Sequence, residues 1–238
     1  MSRSEEEIKT AVRQRYARLA ESNERSCCSE SECCSAEEAD LPNEALSIVA
    51  SCGSPLSREE VHDGDTVLDL GSGGGIDVFR ASKLVGERGK VIGLDATPEM
   101  VFRARETAKK HGYQNVEFRL GEIEHMPLES NSIDLVISNC VLNLVPDKRL
   151  AFNEIYRVLR AGGKIAISDM VAVKPLTPEE RANLSDWSEC IAGAITINEY
   201  KQLLLDVGFT NISTISEGEG EVNRVKSVTW LGEKPITR

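Results

Sequence analysis

The stretch Thr66-Val-Leu-Asp-Leu-Gly-Ser-Gly-Gly-Gly75 constrains this chain more than any other. Thr66 to Leu70 is a short apolar run of strand formers that stops at glycine. Ile76 to Val85 then carries Ile76, Phe79, Ala81 and Leu84 at helical spacing. Strand, glycine turn and helix together make the opening unit of a nucleotide-binding α/β sheet. Gly71, Gly73 and Gly75 lack Cβ, so the backbone can turn sharply there and approach a ligand closely. A second strand, Val91-Ile-Gly-Leu-Asp95, ends in a carboxylate about twenty residues on, where such folds hydrogen-bond a ribose.

The dinucleotide fingerprint G-x-G-x-x-G is not met. From Gly71 the sixth position is Ile76, and from Gly73 it is Val78. What stands here is Asp69-x-Gly71-x-Gly73-x-Gly75, an acid leading the glycines. That pattern resembles motif I of the class I S-adenosylmethionine-dependent methyltransferases, which implies S-adenosylmethionine as the cofactor.

A chain of 238 residues can hold one sizeable α/β domain with an attached terminal segment. No apolar run is long enough to span a bilayer, and Met1-Ser-Arg-Ser-Glu-Glu-Glu has no apolar signal-peptide core, so a cytoplasmic protein without membrane contact is expected. Lys and Arg total 28 against 39 Asp and Glu, a net charge of −11 that argues against nucleic acid as a partner. The histidines His62, His111 and His125 occupy no strand-end motif, which weighs against histidine acid/base chemistry. The cysteines are Cys27, Cys28, Cys33, Cys34, Cys52, Cys140 and Cys190. In a cytosolic chain they are reduced at rest, so metal binding or redox chemistry outranks a disulfide framework.

Taken in order, Ser4 reads as an N-cap before Glu5, Glu6 and Glu7, and Ile8, Val12, Tyr16 and Leu19 give one apolar helical face. From Glu21 to Asp40 the pattern collapses into Ser, Glu, Cys and Ala, with two Cys-Cys pairs. Zinc is one reading of those pairs, although adjacent cysteines lack the usual C-x₂-C spacing; a thiol-rich tail with no fixed ligand is the other. Glu44 to Ala50 reads as a short helix, and Cys52 to Pro55 as a turn. Pro98 to Lys110 is a helix, Asn115 to Leu120 a third strand and Ile133 to Ser138 a fourth. Asp147 to Leu159 is helical with Ala161-Gly-Gly163 as its C-cap, and Lys164 to Ser168 is a fifth strand. Leu176 to Ile195 reads as a helix and loop over the sheet rim. Asn198 to Val207 is a helix, and Asn211 to Ser216 and Val225 to Leu231 are closing strands. The fold class expected is α/β, a doubly wound and mostly parallel seven-stranded sheet as in the Rossmann-like methyltransferases. Three regions follow: residues 1–60 as an N-terminal helix and cysteine-rich segment, 61–170 as the cofactor-binding core, and 171–238 as a covering segment with the end of the sheet.

Ligands in such sheets bind beyond the carboxyl ends of the strands. The glycine loop, Asp95, Glu122 to Glu124, Asn139, Cys140 and Asp169 should therefore share one rim. Cys140 directly follows a strand end, Cys190 lies in the covering segment, and Cys52 precedes the core. Ser138-Asn-Cys-Val-Leu-Asn-Leu-Val-Pro-Asp-Lys148 resembles the signature of the arsenite methyltransferases. Trp187-Ser-Glu-Cys-Ile-Ala-Gly-Ala194 is similar to that family's second cysteine segment, and Ser51-Cys-Gly-Ser-Pro55 matches the position of its third. The resemblance covers roughly Cys52 to Phe209. It implies Cys52, Cys140 and Cys190 as ligands of As(III), with one of Cys27, Cys28, Cys33 or Cys34 as the disulfide partner of Cys52. It implies a cofactor held by Asp69, Gly71, Ser72, Gly73, Gly75, Asp95, Ala96, Met100, Ile123, Glu124 and Asn139. In that scheme the glycines run along the methionine part, Asp95 holds the ribose and Ile123 with Glu124 holds the adenine, although Glu122 is an equal candidate from sequence. The implied substrate is arsenite or thiol-bound As(III), with thioredoxin or a glutathione-type reductant resetting the thiols.

The residue types suit that chemistry. Soft As(III) prefers thiolate sulfur to oxygen or imidazole. Its lone pair can take a methyl group without loss of a proton, so no general base is required. Two other readings stand beside this one. A methyltransferase of another small molecule could use Trp187 and Asp169 around an aromatic substrate. A non-catalytic thiol-based metalloid-binding or sensing protein would bind arsenic without consuming the cofactor.

Overall fold

The computed structural model describes residues 3–21, 41–46, 61–217 and 224–236. The sheet is built from β1 (Thr66–Leu70), β2 (Lys90–Asp95), β3 (Val116–Leu120), β4 (Ile133–Asn139), β5 (Leu159–Ala172), β6 (Thr210–Glu217) and β7 (Val225–Glu233). Its strand order is β3-β2-β1-β4-β5-β7-β6. The first five strands run parallel, and β7 pairs antiparallel to both β5 and β6. This is the seven-stranded, mostly parallel sheet expected.

The central strands are buried on both faces, which explains their near-continuous apolar runs. Helices α3 (Ile76–Leu84), α4 (Pro98–His111), α5 (Lys148–Val158) and α8 (Ile197–Val207) cover the sheet. Each is punctuated by its sequence. Pro98 opens α4. The Asp147 side chain accepts from Leu150 N–H (2.9 Å) at the start of α5. Thr196 and Glu199 form a capping box on α8. Phe152 and Ile155 of α5 are fully buried against β4 and β5, each contributing ~1.5–3 kcal/mol of apolar burial.

Four further helices among the described residues lie outside this frame. Helix α1 (Glu5–Glu21) begins as read, with Ser4 Oγ accepting from Glu7 N–H while Glu7 caps Ser4 N–H in return. The expected rim cover is two short helices, α6 (Pro178–Arg181) and α7 (Leu184–Ser188). Of the helix expected from Glu44 to Ala50, α2 (Asn43–Leu46) is described; Cys52 and the two Cys-Cys pairs fall outside the described residues.

One expectation is overturned. Gly162 and Gly163 do not cap α5; that helix ends at Val158, and β5 is already extended at Leu159. Gly162 N–H donates to Lys234 O and Gly163 O accepts from Lys234 N–H, both at 2.8 Å. Backbone partners supplied by the C-terminal strand draw this stretch into the sheet, where local helix signals alone would have ended a helix.

Candidate functional site

Sheet order locates the site before any side chain does. The chain leaves β1 toward β2 on one side and places β4 on the other, so strand order reverses between β1 and β4. Ligands of open α/β sheets bind at such a switch point. Here the loop after β1 carries the glycines, and the loop after β4 carries Asn139 and Cys140. The two loops touch because Gly71 has no side chain. A Cβ there would come 2.3 Å from Val141 Cγ2, and Gly71 adopts φ +66°. The cysteine loop thus packs directly on the glycine turn.

A cavity opens at this junction. Asp69, Gly71, Ser72, Gly73, Asp95, Ala96, Met100, Ile123, Glu124, Asn139 and Cys140 all line it. Gly75 does not. It starts α3 at φ +90°, and a Cβ there would meet Phe118 at 2.7 Å, so this glycine allows close helix–strand packing.

The electrostatics of the glycine end favour a cation. Burial pushes Asp69 well above the ordinary carboxylate range, with Asp77 and Asp95 adding to the effect. Burial also raises Asp95, partly offset by backbone N–H donors. Asp95 Oδ1 accepts from Thr97 N–H (2.8 Å) and Oδ2 from Gly73 N–H (2.9 Å), which fixes the carboxylate between the two loops. The Thr97 side chain and the Ala96 backbone also donate to this carboxylate. Ser72 Oγ is buried with no partner among the described residues. Asp77 is already paired with Arg80 at 2.8 Å, which leaves Asp69 and Asp95 as the buried carboxylates that a positively charged ligand would relieve.

Away from the glycines, Met100 and Ile123 are buried on the cavity wall beside two carboxylates. Glu122 and Glu124, equal from sequence, are separated by burial: side-chain exposure is 37% for Glu122 and 6% for Glu124. Both bind Lys9 Nζ, at 2.7 and 3.0 Å. Burial alone would lower Lys9, but the two carboxylates outweigh it and hold the ammonium above its usual range.

Lys9 belongs to α1, whose role the sequence showed only as an unassigned apolar face. That face closes the site. Val12, Tyr16 and Leu19 line the cavity, Ile8 packs against Trp187 and Ala192, and Arg15 reaches Glu189 at 3.1 Å. One helix therefore covers both the acidic pocket and the cysteine end.

Cys140 and Cys190, fifty residues apart, meet in one buried cluster with Leu144, against Val12, Tyr16 and Met170. Cys190 Sγ donates to Cys140 O at 3.1 Å. Cys140 lines the cavity wall, whereas Cys190 lies just behind it. Both have left-handed backbones, φ +55° and +62°. Deeper still, Asp169 and Lys148 are buried. Burial lifts Asp169 to about 7 against the pull of Lys148, and burial lowers Lys148 to about 8 against the pull of Asp169. Sequence reasoning placed Asp169 on the rim; it missed Lys148, Asn143 and the α1 residues.

A family profile described as a methyltransferase domain matches residues 61–208. The arsenite methyltransferase of Halobacterium salinarum is 41% identical over 239 residues, covering 91% of this chain and 61% of that protein. The arsenite methyltransferase of Homo sapiens is 40% identical over 171 residues, covering 65% of this chain and 46% of its own length. Among solved structures, an arsenic (III) S-adenosylmethionine methyltransferase from Chlamydomonas reinhardtii is similar with a TM-score of 0.75 and 36% identity, covering 84% of this chain and 72% of that one. The chain thus spans 61% or less of these two curated relatives.

Proposed function

The chain belongs to the arsenite methyltransferase family, and from that premise we propose that it transfers a methyl group from S-adenosylmethionine to trivalent arsenic held by cysteine thiolates. The observation that carries this reading is the meeting of Cys140 and Cys190 at the sheet's switch point, beside a pocket of buried carboxylates.

The pocket fits the cofactor. Asp69 with Asp77 and Asp95 would face its cationic groups, Asp95 its ribose hydroxyls, and Ile123 with Glu124 its base. When bound, S-adenosylmethionine supplies a methyl carbon on a positively charged sulfur that departs as a neutral thioether. The chain's own work is to hold the nucleophile. Cys140 and Cys190, with Cys52 as a third thiolate, replace the hydroxyls of arsenous acid, whose oxygens leave as water. Arsenic keeps its lone pair, which forms the As–C bond as the S–C bond breaks, and no proton has to be removed. Loss of orientational freedom on binding, with Val12 and Tyr16 of α1 closing over the thiols, supports the step; well-aligned reactants gain ~7–11 kcal/mol in favourable cases. Methylation formally oxidises arsenic by two electrons. Two thiols closing to a disulfide return it to As(III), and thioredoxin or a glutathione-type reductant reopens that disulfide by exchange.

Purified protein incubated with arsenite, S-adenosylmethionine and a dithiol should yield methylated arsenicals by mass spectrometry. Cys140→Ser and Cys190→Ser should each abolish the product while leaving cofactor binding near normal. Near-wild-type activity in either variant removes the thiolate model. Arsenic binding without product supports a sensing protein instead.

A further inference from the structure

Beneath the two thiols lies a polar side chain with no part in the chemistry above. Asn143 is fully buried, three residues after Cys140, in a short 3-10 turn (Leu142–Leu144). Its Nδ2 donates to Met170 O at 2.8 Å and to Cys190 O at 3.4 Å. One amide therefore joins the end of β5 to the covering segment, from within the loop that carries Cys140.

The surroundings brace it from the other side. Lys148 Nζ donates to Val145 O (3.0 Å) and to Asn143 O (3.4 Å), and lies 5.5 Å from the Trp187 ring centroid. Gly193 faces the same carbonyl. A Cβ at that position would fall 1.8 Å from Asn143 O, so the covering segment reaches this distance only as glycine. The Asn143 main chain is thus clamped between Lys148 and Gly193, while its side chain reaches Cys190.

Packing alone does not account for an amide here. Asn143 Oδ1 is buried without a partner among the described residues. A polar atom left in that state is unfavourable, and an apolar side chain of similar volume avoids the penalty. What the amide supplies is a directed donor, aimed at the carbonyl of a residue held at φ +62°. Strained backbone of this kind persists only where its neighbours over-determine it.

We propose that Asn143 is a positioning residue that sets the spacing of the Cys140 and Cys190 thiols, by tying the Cys190 carbonyl to the Cys140 loop. This rests on the function proposed above and deepens it. Arsenic must meet both sulfurs at once, whereas a one-site thiol reagent needs only one of them, and the two kinds of probe separate spacing from folding.

The test uses Asn143→Ala and Asn143→Asp. The second keeps shape and oxygen but replaces the donor by an acceptor. Phenylarsine oxide, which bridges two thiols, is titrated against tryptophan emission, with Cys190→Ser marking loss of the pair. Both Asn143 variants should bind it about tenfold more weakly and show a similar rise in KM for arsenite. The affinity for S-adenosylmethionine should stay within about twofold. Iodoacetamide should alkylate Cys140 and Cys190 at least as fast as in wild type. Phenylarsine oxide affinity within about twofold of wild type in both variants overturns the proposal. Should either fail to fold, Asn143→Ser, with a hydroxyl too short for both carbonyls, is expected to bind less tightly than wild type, and equal binding overturns it too. A wild-type protein that binds phenylarsine oxide at the pair but never methylates arsenite refutes the proposed function. Wild-type turnover matched by the variants refutes the positioning role.

Discussion

Asp69→Asn should make the ligand-free protein more stable and its cofactor binding weaker. The Asp69 carboxyl is nearly fully buried on the cavity wall, where burial, then Asp77 and Asp95, hold its titration well above the usual 3.8. Between that usual value and the raised one, the folded chain holds a proton that the unfolded chain has shed. Stability therefore declines as pH rises through this window. An amide has no such titration, so the variant should gain stability at neutral pH and melt at a higher Tm. The cofactor should respond with the opposite sign. A hydrogen bond to a charged group contributes ~1.5–3 kcal/mol, and its loss weakens binding roughly 10- to 150-fold. Calorimetric melting of the ligand-free variant and isothermal titration with S-adenosylmethionine give the two signs independently. A lower Tm with unchanged affinity would mean that Asp69 braces the strand and does not face a ligand, and the reasoning fails.

Lys9→Ala strips the buried Glu124 of a partner and loosens the cover, so amide hydrogen exchange in α1 should accelerate while that in β1 and β4 holds. Unchanged α1 exchange would show that apolar contacts alone hold the helix. Asp169 is raised from 3.8 to about 7, so it contributes a loss of stability as pH rises across that window; Lys148, lowered from 10.5 to about 8, contributes a gain across its own. Asp169→Asn should therefore shrink the stability difference between about pH 5 and about pH 7.5 in urea titrations, and an unaltered difference counts against the buried pair.

The sheet and its rim were legible because both are local. Near-continuous apolar runs such as Val67-Leu-Asp-Leu70 and Ile133-Asp-Leu-Val-Ile137 declare buried parallel strands, and strand ends declare where loops carry chemistry. Cys140 and Asp95 could be placed on that logic. What escaped was non-local. The length of β5 depends on pairing with β7, whose residues lie some sixty positions on. The apolar face of α1 was readable as a face, but nothing in its periodicity says that it covers Cys140. Asn143 and Lys148 look like ordinary polar residues around a helix start; only the covering segment that brings Trp187 and Gly193 over them makes them buried. Gly71 and Gly75 read alike in sequence, yet one is pressed by Val141 beside the ligand cavity and the other by Phe118 in the core.

The backbone of the two cysteines carries the same logic into the chemistry. A side chain with Cβ in left-handed geometry costs roughly 1–2 kcal/mol, which glycine would avoid. Cys140 and Cys190 both adopt that geometry. At Cys140 the N–H still donates to Ser168 O at 2.8 Å, so strand pairing runs to the thiol itself before the chain turns away and Val141 settles on Gly71. At Cys190 the N–H donates to Trp187 O at 3.1 Å, and Ile191 N–H closes back to Asp186 O at 2.9 Å. In each case backbone hydrogen bonds, joined at Cys140 by the packing of Val141 on Gly71, fix a conformation that a lone residue would abandon. Loops free to relax would have to be ordered by arsenic on arrival, and that ordering would subtract from affinity. On the ligation proposed above, two sulfurs already held in tense, buried turns would require little of it, and soft-metal affinity would then depend on backbone set before the substrate enters.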